Sequence, residues 1–322
     1  MALRKHPDEY LFVSGSPRSG TTLLRLVLSA HPCIAISPEN HSLERIICHF
    51  SHRRVLQGAA LQSLKRLIVE DTKLEGWKLD LSPYREKVLG YTAITARQAA
   101  EDLICYYRDQ TTPDAYMVGN KKGFFLEYTE TVHHMFPEAK FIFIVRDPRD
   151  AVLSMKTHLP DYDLWSASLA WRRRAAHSHM VQEKYPGKCM EIKYEDLVSA
   201  SEESCRKICS FLKVSYSNRM LEFYRKNNSL EGILQGKETM HQQTRGPMTK
   251  KRIGGWSGGM SEEEIHLVET LTRGEMGRRG YMPSLTAGLN LTTRTRCMYA
   301  RMRDHFYWRR KRLHIRSLTV SS

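Results

Sequence analysis

The sequence predicts an α/β fold in which an open parallel sheet is flanked by helices. Two continuous apolar runs, residues 10–15 and residues 141–145, are of the kind found in strands buried inside parallel sheets. A helical pattern of apolar residues follows each run, starting at Leu23 after the first and at Ala151 after the second. Strands that alternate with helices along a chain are typical of parallel βαβ units.

Further segments continue this alternation of helix and strand. Helical patterns and one more strand are predicted, in chain order, as helix 41–70, helix 94–109, strand 188–194 and helix 197–212. No internal repeat or low-complexity linker divides the chain. We therefore predict a single domain over residues 8–285 and a basic C-terminal tail over residues 286–322.

The charge of the chain indicates an anionic partner. The 322 residues include 50 Lys+Arg and 35 Asp+Glu, for a formal net charge of +15, and 41% are hydrophobic, which excludes a wholly disordered chain. Nine basic residues and one acidic residue fall within 294–316. Such a tail either lies on an anionic membrane surface or is a solvated or packed extension, and the sequence leaves both readings open.

The seven cysteines and the apolar runs predict a cellular compartment. The cysteines are scattered and include no Cys-x-x-Cys pair, so neither a zinc site nor a disulfide framework is predicted. No apolar run approaches the ~18–20 residues of a membrane span, and the first residues lack the apolar stretch of a signal peptide. The sequence thus predicts a cytoplasmic protein, with peripheral membrane attachment through residues 294–316 as the alternative.

A glycine-containing loop between the first strand and the first helix has the spacing of a phosphate-binding loop. Gly15 and Gly20 enclose four residues, as in G-x-x-x-x-G, which makes the predicted fold a P-loop-type sheet. Amide groups at the helix N-terminus favour an anion, and Arg18 can bind two phosphate oxygens. Thr21 stands where nucleotide-binding loops carry lysine, and this weakens an ATP interpretation. Further donors are the hydroxyl groups of Ser19, Thr21 and Thr22.

The run Ser16-Pro-Arg-Ser-Gly-Thr-Thr-Leu-Leu-Arg25, followed by Ala30-His31-Pro32, closely resembles the 5′-phosphosulfate-binding loop of the sulfotransferase family. The resemblance is to the bacterial and tyrosylprotein branch. It implies that the donor is 3′-phosphoadenosine 5′-phosphosulfate (PAPS), that no metal takes part and that lysine is not needed in the loop. The donor-binding residues it implies here are Ser16, Arg18, Ser19, Gly20, Thr21 and Thr22.

A second motif lies after the apolar run 141–145. Arg146 follows this strand directly and Ser154 comes eight residues later, which resembles the 3′-phosphate motif of the same family. An arginine at the carboxyl end of a strand stands where open α/β sheets place their ligands. The serine lies one to two helical turns further on, so we expect both side chains to converge on one phosphate.

Two residues are predicted to carry the chemistry through the same resemblance. Glu39, 21 residues after Arg18, resembles the catalytic glutamate of the tyrosylprotein branch, and a carboxylate is a suitable base for an acceptor proton. His41 is the rival base. Lys121 resembles the lysine that stabilises charge on the sulfuryl group and the leaving oxygen, with Lys122 as the neighbour that could hold this role instead.

Two later segments complete the resemblance. Tyr194 matches a position near the nucleotide, although a tyrosine of the core is an equal alternative. The run Lys250-Lys251-Arg252-Ile-Gly-Gly-Trp256 resembles the basic, glycine-containing segment that closes over PAPS. Ser257 departs from the family pattern, which often has a basic residue there, so the contact with the 3′-phosphate is open among Lys250, Lys251 and Arg252.

These observations predict an enzyme that transfers a sulfuryl group from PAPS to an acceptor hydroxyl, in line and with a carboxylate base. A glycan, a lipid, a small molecule or a tyrosine could be the acceptor, and the oligomeric state is open. The alternatives are a P-loop kinase, which Thr21 disfavours, and a basic nucleic-acid-binding protein. Only the tail offers aromatic residues beside arginines, at residues 306–308, so no nucleic-acid partner is expected.

Overall fold

One parallel sheet organises the chain. The computed structural model describes residues 9–225 and 244–284, together with 295, 298 and 302. Five strands run in the order β2-β3-β1-β4-β5, and every neighbouring pair is parallel. The strands are β1 (Glu9–Gly15), β2 (Ile34–Ser37), β3 (Met117–Lys121), β4 (Lys140–Val145) and β5 (Cys189–Lys193).

Helices connect the strands and cover both faces of the sheet. Up to β4 the α-helices are α1 (Thr21–Ser29), α2 (His41–Arg45), α3 (Gly58–Val69), α4 (Thr72–Glu75), α5 (Ser82–Leu89), α6 (Ala96–Thr111) and α7 (Thr129–Met135). The later ones are α8 (Pro148–His158), α9 (Leu164–Lys184), α10 (Tyr194–Ser199), α11 (Ser201–Leu212), α12 (Trp256–Gly259) and α13 (Glu262–Arg278). A π-helical turn covers Ile46–Phe50, and 3₁₀ turns cover Gly123–Leu126 and Asn218–Met220.

The sheet confirms the predicted fold class, although two of its strands were not predicted. Both differ from the long apolar runs of β1 and β4: β2 has only four residues, and β3 reads Met-Val-Gly-Asn-Lys. The single helix predicted over 41–70 is wrong. Leu56 and Ile94 exchange backbone hydrogen bonds of 2.7 and 3.1 Å as an antiparallel bridge, which interrupts helical pairing between the π-helical turn and α3.

Alternating side chains of the central strands enter two separate cores, as the two-residue period of a strand requires. Phe12 of β1 and Phe143 of β4 are buried on the face that α6 and α7 cover. Val13 and Ile144, their neighbours along the chain, are buried on the face that α1 and α11 cover. Because helices cover both faces of the sheet, β1 and β4 could be recognised from the sequence as continuous apolar runs.

The carboxyl ends of β1, β2, β3 and β4 lie along one edge of the sheet. The chain leaves β1 for β2 and β3 on one side and then crosses to β4 and β5 on the other, so β1 lies where the direction of winding reverses. Ligands of open α/β sheets bind at this kind of switch point, outside the carboxyl ends of the strands. The loop after β1, the segment after β2, Lys121 and Arg146 all emerge there.

The tail falls beyond this description. Residues 286–322, including the basic stretch 294–316, lie outside the described residues except for 295, 298 and 302. The predicted domain boundary and the membrane contact therefore stay predictions. Across residues 9–225 and 244–284, no helix is both long enough and apolar enough to cross a bilayer.

Candidate active site

The loop between β1 and α1 has a strained backbone that exposes the start of the helix. Arg18 has φ 64° and Gly20 has φ 96°, both in the left-handed region, which is costly for arginine and natural for glycine. A Cβ on Gly20 would lie 2.7 Å from Cδ2 of Tyr194, so only glycine fits. No side chain caps α1, and no acidic residue lies in its first turn. This N-terminus is therefore open to an anion.

Two serine hydroxyls of the loop are buried without a partner. Ser19 is fully buried and Ser16 nearly so. Among the described residues, neither Oγ atom has a hydrogen-bond partner. Buried polar groups are normally hydrogen-bonded, so orphaned hydroxyls beside an uncapped helix N-terminus indicate a place that a ligand completes.

Three arginines converge beside the loop. The Arg146 guanidinium donates to the backbone carbonyl of Arg18 at 3.4 Å and to that of Arg252. Arg18 donates from Nε to Ser154 Oγ at 3.0 Å. Burial, followed by the charges of Arg252 and Arg146, lowers the pKa of Arg18 to about 10. Like charges held this close disfavour one another, so the cluster favours a bound anion.

Asp150 fastens the later segment onto this cluster. Its side chain is almost fully buried and accepts backbone hydrogen bonds of 3.0 Å from Gly254 and from Trp256. Arg146 lies 3.4 Å from its carboxylate. Burial raises the pKa of Asp150 against the opposing effects of Arg146 and the two amides. The residue thus joins the start of α8 to the glycine-containing segment before α12.

Aromatic side chains pack against two arginines near the loop, Arg146 and Arg149. The Arg146 guanidinium lies 4.8 Å from the centroid of the buried Tyr194 ring, and Arg149 lies 3.8 Å from the centroid of Trp256. Trp171 donates from its indole nitrogen to the Arg146 carbonyl at 2.9 Å. These contacts hold the guanidinium groups in place through packing and cation–π attraction.

An acid and a cation meet at the neighbouring strand ends. Lys121, the last residue of β3, donates to Glu39 at 2.7 Å, and Glu39 follows β2 by two residues. Burial would raise the pKa of Glu39, but the charge and hydrogen bond of Lys121, with help from Lys73 and Lys122, lower this pKa to about 2. Glu39 is therefore ionised at neutral pH, and its side chain is 38% exposed.

A match to the family described as "Sulfotransferase family" covers residues 11–218, and so includes both the loop and this pair. The chain belongs to the sulfotransferase family. The chain is therefore an enzyme of sulfuryl transfer. This excludes the two alternatives, a P-loop kinase and a nucleic-acid-binding protein.

Named relatives point to the same family. The chain is 30% identical to a protein-tyrosine sulfotransferase of Drosophila melanogaster over 256 residues, covering 77% of this chain and 47% of the relative. It is 28% identical to protein-tyrosine sulfotransferase 1 of Danio rerio over 255 residues, covering 77% of this chain and 65% of the relative. The chain thus spans about half of the first protein and about two thirds of the second.

Solved structures share the fold. The sulfotransferase domain from the curacin biosynthetic pathway superposes with a TM-score of 0.59 at 18% identity, over 86% of this chain and 98% of that one. The sulfotransferase domain from the Synechococcus PCC 7002 olefin synthase superposes with a TM-score of 0.56 at 23% identity, over 83% and 95%. At this identity the likeness concerns the fold alone.

Most residues predicted for this sulfotransferase site lie along one edge of the sheet. Thr21 and Thr22 begin α1 and are half-buried. Of the three candidates in the later segment, Arg252 is half-buried beside Arg18, whereas the side chains of Lys250 and Lys251 are exposed.

The rival base His41 occupies a different position from Glu39. It lies at the start of α2, and its Nδ1 is 4.0 Å from Glu44. Burial and the charges of Lys73 and Lys122 lower the pKa of His41. The Lys121 ammonium, in contrast, contacts Glu39.

Three residues of the site were not predicted from the sequence: Asn120, Arg149 and Asp150. Lys122 was named only as the alternative to Lys121, and its contacts with Asn40 and Glu44 were not predicted. Asp150 lies four residues after Arg146, a helical spacing that could have indicated their pairing. Nothing local indicates that Asn120 is fully buried, because this depends on β2 pairing alongside β3. No group of metal-ligating residues occurs in the part of the chain that the structure describes, and metal independence stays a prediction.

Proposed function

We propose that this sulfotransferase transfers the sulfuryl group of PAPS to the hydroxyl of a tyrosine in a protein or peptide, with Glu39 as the base. The observation that carries the proposal is the Lys121–Glu39 pair of 2.7 Å beside an anion-binding loop and an arginine cluster. The acceptor class follows the named relatives, which are protein-tyrosine sulfotransferases.

The residues beside the loop fit PAPS. This donor supplies an activated sulfuryl group on a nucleotide that carries two anionic phosphate groups. The orphaned hydroxyls of Ser16 and Ser19, with the amides that begin α1, suit its 5′-phosphosulfate end. Arg146, Ser154 and Arg252 would hold the 3′-phosphate. Arg18 belongs to the loop by its backbone and to this second group by its hydrogen bond to Ser154.

Glu39 and Lys121 divide the chemical work in this mechanism. The ionised Glu39 carboxylate accepts the proton of the acceptor hydroxyl, as a general base must. The acceptor oxygen forms its bond to sulfur while the bond between sulfur and the bridging phosphate oxygen breaks. Lys121 stabilises the negative charge that collects on that released oxygen, and adenosine 3′,5′-bisphosphate is the second product.

The pairing in the structure also makes proton transfer depend on the donor. While Lys121 contacts only protein, it holds the pKa of Glu39 at about 2, and the carboxylate is a weak base. Anionic oxygens beside Lys121 share its charge, which raises the proton affinity of Glu39. The base thus becomes stronger when the donor is in place.

Two measurements on the full chain test the proposal. Adenosine 3′,5′-bisphosphate should raise the melting temperature more than ATP at equal concentration, and labelled PAPS should transfer sulfate to a tyrosine-containing peptide but not to its phenylalanine counterpart. The variant Glu39→Gln should keep the stabilisation and lose transfer. Equal stabilisation by ATP would contradict the donor assignment, and full turnover by Glu39→Gln would contradict the base.

A further inference from the structure

We propose that Asn120 and Lys122, the two chain neighbours of Lys121, are positioning residues that fix the backbone of Glu39. The inference rests on the proposed function, in which Glu39 is the base. Neither residue contacts the Glu39 carboxylate; both hold the main chain on either side of it.

Glu39 needs such support from its backbone. Among the described residues, its carboxylate has one hydrogen-bond partner, Lys121. In the proposed mechanism the Lys121 ammonium also interacts with the oxygen that is released, so its hydrogen bond to the Glu39 carboxylate becomes weaker. A half-exposed side chain without another anchor stays in place only if its main chain is rigid.

Asn120 holds the chain before Glu39. Its amide nitrogen donates to the Pro38 carbonyl at 2.7 Å, to Ser37 Oγ at 2.8 Å and to the Ser37 carbonyl at 3.3 Å. Asn120 and Ser37 are register partners in neighbouring parallel strands, and both are fully buried. The side chain thus ties the end of β2 and the next residue to β3.

Lys122 holds the chain after Glu39. Its ammonium donates to the Asn40 carbonyl at 2.8 Å and forms an ion pair with Glu44 of α2. The side chain is only 11% exposed. Asn40 in turn caps α2 by accepting from the Leu43 amide at 2.7 Å. Carbonyls 38 and 40, which flank residue 39, are therefore both bound from β3 or from the residue after it.

Three consecutive residues, Asn120, Lys121 and Lys122, thus have different roles. Lys121 acts on the carboxylate itself, while its neighbours set the position from which the carboxylate acts. A displacement of about 1 Å in a reacting group can cost on the order of 100-fold in rate. Loss of a positioning residue should therefore lower kcat and leave donor binding intact.

The variant Lys122→Met tests the inference, since methionine keeps an apolar stem and removes the ammonium. We expect kcat to fall roughly 10- to 100-fold, with the KM for PAPS changed less than about twofold. Lys140→Met is the matched control. Lys140, at the start of β4, is likewise a largely buried lysine with 12% exposure, and it donates to a carboxylate, Glu9 at 2.8 Å, and to a carbonyl, Leu212 at 3.1 Å. Lys140 lies at the opposite end of the sheet, so the kcat of Lys140→Met should equal that of the parent protein.

A double-mutant comparison separates positioning from general loss of structure. In a Glu39→Gln background the base is gone, so adding Lys122→Met should lower the residual kcat by less than about twofold. A further loss as large as that in the parent protein would overturn the inference, as would an unchanged kcat in the single variant. Unchanged turnover in Glu39→Gln alone would instead overturn the base assignment.

A second variant guards against misfolding. Lys122→Met leaves Glu44 without its lysine partner, whereas Lys122→Met combined with Glu44→Gln removes both charges and still removes the contact with Asn40. We expect the same fall in kcat from the pair of substitutions, at a melting temperature close to that of Lys140→Met. Parent-like kcat in this folded double variant would also overturn the inference.

Discussion

The ammonium of Lys121 lies 2.7 Å from Oε1 of Glu39, and it joins the end of β3 to the segment after β2 across 82 residues of sequence. The Lys121 side chain is 9% exposed and that of Glu39 is 38% exposed. The cation is thus held inside the protein, and the acid reaches the surface of the site. This placement suits a cation that stabilises developing negative charge, next to a carboxylate that an acceptor can approach.

Lys121→Met should lower kcat about 100- to 1,000-fold, because removing one stabiliser of developing charge usually has this effect. The affinity for adenosine 3′,5′-bisphosphate should fall by a much smaller factor, because this product keeps the oxygen that Lys121 contacts but is also held by the loop and the arginine cluster. Steady-state kinetics and calorimetric titration of the product measure the two quantities. A parallel loss of product affinity would assign Lys121 to binding instead.

The same substitution should raise the pKa of Glu39. In the parent protein Lys121 outweighs the effect of burial and holds this pKa at about 2. Without that charge, burial is opposed by the weaker effects of Lys73 and Lys122 but no longer by Lys121, and the pKa moves up. Titration of the glutamate side-chain carboxyl by carbon NMR measures the change, and an unchanged pKa would contradict the pairing.

The direction of this shift fixes the dependence of folding stability on pH. A folded pKa below that of the unfolded chain stabilises the folded state above the unfolded value, 4.5 for an ordinary glutamate. That contribution is lost as the pH falls toward about 2. In Lys121→Met, Glu39 should therefore contribute less to the loss of stability in acid. Thermal melts between pH 2 and pH 6 test this: the melting temperatures of Lys121→Met and Lys121→Met/Glu39→Gln should change with pH in nearly the same way.

Arg146→Ala should weaken binding of adenosine 3′,5′-bisphosphate roughly 10- to 100-fold, since hydrogen bonds to charged groups contribute about 1.5–3 kcal/mol. Calorimetric titration measures the affinity. Arg97→Ala is the matched control, because Arg97 also packs on an aromatic ring, 5.1 Å from the centroid of Phe136, and pairs with Glu138 away from the site. Equal losses in both variants would indicate a general structural effect.

Gly20→Ala should destabilise the chain more than Gly58→Ala. Both glycines have positive φ, 96° and 55°, so alanine is strained at either position, by about 1–2 kcal/mol. A Cβ at Gly58 meets nothing within 4 Å, whereas at Gly20 it lies 2.7 Å from the Tyr194 ring. Urea unfolding measures the free energies of both variants. Equal values would show that the ring moves aside without cost.

Much of the fold and of the candidate site could be predicted from local patterns. The runs 10–15 and 141–145 are recognisable because both faces of these strands are buried, and the loop between Gly15 and Gly20 has a spacing that its backbone requires. Strand β3 escaped prediction because it ends in Gly-Asn-Lys, which is not an apolar run. These residues are buried by β1 on one side and by β2 and the segment after it on the other.

By itself the sequence determined the α/β class, the glycine-containing loop after β1 and the arginine after β4, since each depends on residues that are close together in the chain. Only the tertiary structure separated Lys121, which contacts Glu39, from Lys122, which contacts Asn40 and Glu44. It also placed Arg252, rather than Lys250 or Lys251, beside Arg18. These choices depend on which strands are neighbours in the sheet and on where buried charges find partners, and such long-range contacts leave no local pattern in the sequence.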